Sequence, residues 1–186
     1  MRNSMKAFSR RALLGSALLG ATALTACTTL KDGNKTTLTL NTAKVCAYGQ
    51  AGLNAVATIL SITAVATAMG APAVGIVQAS SAGLFAALTA FRDETHGSLQ
   101  IVYDNSSVGK AVNSLLLDLN AVATSLRAAL VKAQAAINNP ILNTAITAFN
   151  ALLTVIDAFE GLLGISISSV SSDQEATALS VLAVQK

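Results

Sequence analysis

Between Val108 and Ala136, nine apolar residues (Val108, Val112, Leu115, Leu119, Val122, Leu126, Ala129, Ala133 and Ala136) recur at alternating steps of four and three. That spacing returns each of them to one side of an α-helix, and a stripe sustained over four heptads needs a partner along its length. Lys110, Asp118, Arg127 and Lys132 fall off the stripe, as residues of a solvated face should. A chain with such a helix must supply others to cover it. Val112, Leu115, Leu119, Val122 and Leu126 are therefore the candidate helix-packing residues.

The rest of the body supplies those partners. Asn41 or Thr42 caps a long helix running to about Met69, where Gly70-Ala71-Pro72 breaks it. A second helix runs from Pro72 to Arg92 and gives way to the polar segment Asp93 to Gly97, the β-prone Leu99 to Tyr103 and a turn at Asp104-Asn105. After the striped helix, Asn138-Asn139-Pro140 provides a loop, a cap and a proline at the first helical position, so the fourth helix, Ile141 to about Leu163, turns back antiparallel. Ile141, Ile146, Phe149, Leu152, Leu153, Ile156, Phe159 and Leu163 make it apolar nearly all round, which predicts a central position. Gly161 and Gly164 end it, Ile165 to Ser171 alternates like a short strand or extended connection, and Ser172 with Glu175 forms a capping box for a last short helix through Val184. The expectation is all-α: an antiparallel bundle of about four helices with a short C-terminal helix, occupying residues 41–186. Residues 27–40 read as a polar tether with a strand-like, Thr-rich end at Thr36 to Leu40.

The first 26 residues read as an address. Arg2, Lys6, Arg10 and Arg11 precede an apolar or small-residue run from Ala12 to Ala26. That run is too short to span a bilayer, which takes roughly 20 apolar residues, but suits a signal peptide. Arg10-Arg11 ahead of it resembles the twin-arginine export signal, although Leu13 stands where that signal usually has Phe and no Lys follows, so ordinary Sec export is the alternative. Leu24-Thr25-Ala26-Cys27 resembles the lipobox of bacterial lipoproteins. The resemblance implies cleavage before Cys27, acylation of its thiol and a periplasm-facing anchor. Thr28, in place of an Asp that would imply inner-membrane retention, favours the outer membrane. Cleavage after Ala23 would instead leave Cys27 a free thiol.

The leader also carries the basic charge. It holds four of the twelve Lys and Arg and none of the nine acids, leaving a net charge of −1 on residues 27–186. With no Trp, two Tyr and scattered lysines, the body lacks the basic face and stacking aromatics of a nucleic-acid binder. An acylated Cys27 would leave Cys46 without an intrachain disulfide partner, so the fold must stand on packing and Cys46 reads as a small buried thiol.

Val45 to Phe91 contains no charged residue, enough for two membrane passes turning at Gly70 to Pro72. Its apolar content is mostly Ala, diluted by Thr58, Ser61, Thr63, Thr67, Gln78, Ser80 and Ser81, whereas insertion is driven by Leu, Ile, Phe and Val. A water-soluble pair of small-residue helices is the favoured reading, an inserting hairpin the alternative.

Catalytic patterns are sparse. His96, the one histidine, sits beside Asp93 and Glu94 as in a solvated turn rather than a metal site, and Asp157 with Glu160 reads as the polar stripe of an apolar helix rather than an acid–base pair. No nucleophile elbow, phosphate loop or Cys-x-x-Cys occurs. The sequence thus predicts no enzyme, cofactor or metal. It predicts a lipid-anchored helical subunit of an envelope complex, engaging the membrane through Cys27 and a larger envelope protein through an apolar helix face. A membrane-active hairpin and a carrier of a lipid or other apolar ligand are the alternatives.

Overall fold

The computed structural model describes residues 27–32, 35–103, 106–137, 140–166 and 170–183. Among them are three strands, β1 (Cys27–Asp32), β2 (Lys35–Asn41) and β3 (Gln100–Tyr103), and six helices: α1 (Thr42–Ser61), α2 (Thr63–Met69), α3 (Ala71–Thr95), α4 (Ser107–Ala136), α5 (Pro140–Leu162) and α6 (Ser172–Ala183). The chain is mostly helical, consistent with the all-α class.

The predicted tether is part of the fold. β1, β2 and β3 form an antiparallel sheet in that order, with Cys27 opposite Leu40 and Leu40 opposite Ile101. The strand-like end is a strand because it pairs on both edges, and Leu40 and Ile101 enter the core beneath it.

The long first helix is also corrected. It stops at Ser61, and α2 leaves at 90° after Ile62. Thr58, Ile59, Ser61, Ile62 and Thr63 crowd the break with β-branched and hydroxyl side chains, which restrict χ1 and compete for backbone partners. Ser61 Oγ indeed donates to the Thr58 carbonyl at 2.7 Å. The second break falls where the sequence places it: Gly70 holds φ +79°, a conformation open chiefly to glycine, and Pro72 follows in the first turn of α3.

The α4 stripe is internal. Val112, Leu115, Leu119, Val122, Leu126, Ala129 and Ala133 are all buried; only the ends differ, Val108 being half-buried and Ala136 exposed. α5 is internal, touching α1, α2, α4 and α6, but the most widely connected helix is α1. It touches every other described helix as well as β2, because Gly49, Ala51, Gly52 and Ala55 let neighbours approach closely. A Cβ at Gly49 would crowd Leu88 of α3 and Leu115 of α4; one at Gly52 would collide with Leu84 of α3 and Leu119 of α4. On α4, Leu115 and Leu119 seat against these glycines of α1, while the helix as a whole also packs on α3 and α5. The start of α1 lies beside the end of α5, where the Tyr48 and Phe159 rings meet tilted at 42° with centroids 5.2 Å apart.

Candidate functional site

A cluster of polar side chains joins the start of α1 to the start of α6. Asn41 caps α1, its Oδ1 accepting from the Lys44 backbone N–H at 3.0 Å. One turn on, the Lys44 ammonium pairs with Glu175 Oε2 at 2.9 Å. The fully buried Tyr48 donates its phenol to Glu175 Oε1 at 2.8 Å. Lys44 Nζ also lies 5.9 Å from the Tyr48 ring centroid. Glu175 is free for this role because the capping box sits one residue earlier than expected. Ser171 Oγ accepts from the Gln174 N–H at 3.2 Å, and Gln174 Oε1 accepts from the Ser171 N–H at 2.8 Å. The cluster clamps α6 onto α1 and its geometry is that of a structural lock: every oxygen of the carboxylate is already engaged.

Behind that lock, α5 and α6 flank a groove of about 600 Å³. Asp157 and Asp173 stand on its rim with Thr147, Asn150 and Thr154, above a floor that includes Ala151 and Val181. Thr147 and Thr154 donate their hydroxyl protons to the Asn143 and Asn150 carbonyls, so both oxygens are left as acceptors. Asp157 is thus a rim residue and its neighbour Glu160 is half-buried; the two do not share this groove.

On the other side of α1, a cavity of about 370 Å³ lies between Thr42, Ala43, Cys46, Arg92, Thr95 and Leu99. Cys46 is half-buried on this wall rather than buried in the core. Thr42 Oγ1 is buried with no hydrogen-bond partner among the described residues. The Thr42 N–H donates to the Leu99 carbonyl at 3.2 Å, tying the loop after α3 to the start of α1. His96 closes α3 in the left-handed conformation, φ +47°, and is exposed. Among the described residues no three His, Cys, Asp or Glu side chains converge as metal ligands.

The third feature is a surface. From Ala71 to Phe91, α3 carries no charge, yet its outer side, including Ile76, Ala79, Ala82, Phe85 and Ala86, is exposed. By length and composition α3, α4 and α5 could each cross a membrane, and α1 with α2 would be a fourth if the bent pair were one span. Of the apolar windows in those three helices, the one in α3 is the least covered, with 28% of it buried against 44% in α4 and 50% in α5.

Of the sequence-predicted sites, Arg10, Arg11, Leu24 and Ala26 lie outside the described residues. Cys27 opens β1, in register with Leu40. Comparison with family models, curated proteins and solved structures finds no match.

Proposed function

We propose that the chain is a lipid-anchored, non-catalytic subunit of a bacterial envelope complex. Residues 1–26 are its signal peptide, acylated Cys27 holds it to the periplasmic side of a membrane, with the outer membrane favoured, and residues 41–186 form an antiparallel helical bundle. Two or more acyl chains give stable attachment where one is marginal. The observation that carries the reading is the outer face of α3: an uncharged helical surface with Ile76 and Phe85 about 60% exposed, beside an otherwise well-buried core. Contiguous exposed apolar surface of this kind marks an interaction site, and its small residues permit a partner helix to come close. In the full-length chain, Phe85→Lys is expected to abolish recovery of one envelope protein at fixed stoichiometry from detergent-solubilised membranes, while thermal melting and membrane attachment stay unchanged. Equal recovery by the variant would exclude this face.

The low coverage of the apolar α3 window also supports a second reading, a membrane-active protein whose α1–α3 segment inserts. Against it stands the cost of withdrawing α1, which contacts every other described helix. Release of trapped dye from vesicles by the isolated protein distinguishes the two. The carrier reading draws little support from the α5–α6 groove, which is open and carries the exposed carboxylates of Asp157 and Asp173 among its lining.

A further inference from the structure

The sheet register determines how an anchor at Cys27 would hold the molecule. Cys27 faces Leu40 across one strand pair, and Leu40 faces Ile101 across the next. With neighbouring strands roughly 4.8 Å apart, the Cys27 backbone lies only about 10 Å from that of Ile101. No free tether separates the acylation point from the fold: the anchor is a sheet residue, level with Leu40 and Ile101 and one step short of the Asn41–Gln100 pair. The hydrogen bond from Thr42 N–H to the Leu99 carbonyl places the loop after α3 at the same end.

That loop carries Leu99, which at 81% is the most exposed of the large apolar side chains among the described residues. Across the adjoining cavity stands Arg92, exposed on the last turn of α3. An apolar side chain beside a guanidinium matches the two layers of a membrane interface, acyl chains below and phosphates above, and guanidinium binds phosphate with paired hydrogen bonds. The exposed Asp93 and Glu94 on the same turn oppose attraction of the free protein to anionic lipid. Affinity must then come from the anchor, and Leu99 and Arg92 set the orientation.

We infer that the sheet end of the helical body is a bilayer-docking face, on which Leu99 enters the acyl region and Arg92 meets lipid phosphates. The helices then rise from the membrane and the outer side of α3 faces laterally, where a membrane partner would meet it. The inference rests on acylation of Cys27, and the test keeps the two apart.

The chain has no Trp, so Leu99→Trp introduces a sole fluorophore. Val131→Trp is the control: Val131 is also exposed, and it lies 24 residues beyond the first residue of α4, Ser107, or about 36 Å along the helix from the sheet end. Both full-length variants are produced in a bacterium that processes lipoproteins, weighed by mass spectrometry to establish acylation, and reconstituted into vesicles of phosphatidylethanolamine and phosphatidylglycerol with brominated acyl chains. Acylated Leu99→Trp is expected to show blue-shifted emission and loss of fluorescence to the brominated chains, and Val131→Trp neither. Acylated protein in which the two respond alike overturns the docking face and leaves the anchor standing. A mature protein that is not acylated at Cys27 overturns both.

Discussion

Glu175, in the first turn of α6, accepts the phenol of Tyr48 at 2.8 Å across 127 positions of sequence. Its second oxygen takes the Lys44 ammonium, and the two charged side chains are 15% and 27% exposed. This carboxylate joins the last helix to the first, and Phe159 of α5 packs on the same Tyr48 ring.

Removing the phenol oxygen leaves a largely buried carboxylate oxygen without its donor. Tyr48→Phe is therefore expected to lower stability by roughly 1–3 kcal/mol, the range for unsatisfying a buried polar group. Glu175→Gln should cost less than Glu175→Ala, because the amide oxygen can still accept from Tyr48 or Lys44. Thermal or urea melting measures both, and an unchanged Tyr48→Phe melt would mean that α6 is not docked on α1.

Glycines in α1 and α3 give a prediction of opposite signs. Helix propensity alone makes any Gly→Ala exchange in a helix favourable by up to about 1 kcal/mol. At Gly75 an added Cβ meets nothing within 4 Å, so Gly75→Ala should raise the melting temperature. At Gly52 it would collide with Leu119 and Leu84, so Gly52→Ala should destabilise by roughly 1–3 kcal/mol despite the propensity gain. Leu119→Ala, which empties that seat, should cost about 2–5 kcal/mol, while Leu117→Ala, 70% exposed on the same helix, should change little. A stabilising Gly52→Ala would move α1 out of the centre.

The same residues show what the sequence could and could not convey. The stripe from Val112 to Ala133 was legible because period is a local property, and so were the helix starts near Thr42 and Pro140 and the break at Gly70, where caps, proline and glycine act within a turn. The bend at Ile62 lay hidden in a run of ordinary apolar residues, its cause a local crowding of Thr58, Ile59, Ser61 and Thr63. The capping box was displaced by one residue because Ser171-Gln174 and Ser172-Glu175 satisfy the same pattern, and the choice between them is made by Tyr48 and Lys44, far away in sequence. The wider connections of α1 were missed for a related reason. Hydrophobicity pointed to α5, which is internal, but close packing is set by the small side chains of Gly49 and Gly52. The site at the sheet end needed the pairing of Cys27 with Leu40 and of Leu40 with Ile101, a long-range register that neither strand announces by itself.

Attachment to the membrane is the remaining test, and it turns on one atom. If the Cys27 thiol carries the lipid, Cys27→Ser should lose labelling by a fatty-acid probe and move from the membrane to the soluble fraction, because Asp93 and Glu94 leave the docking end with little attraction of its own for anionic lipid. A chain beginning at Thr28 should likewise be soluble without detergent and helical by circular dichroism. It should also leave dye-loaded vesicles intact, since α1 is held in the core by Val45, Tyr48, Val56 and Ile59. Retention of Cys27→Ser on membranes, or leakage caused by the shortened chain, would reverse the order of the two readings: the uncharged α1–α3 segment would then be the membrane-binding element, and the exposed face of α3 would meet lipid rather than a partner protein.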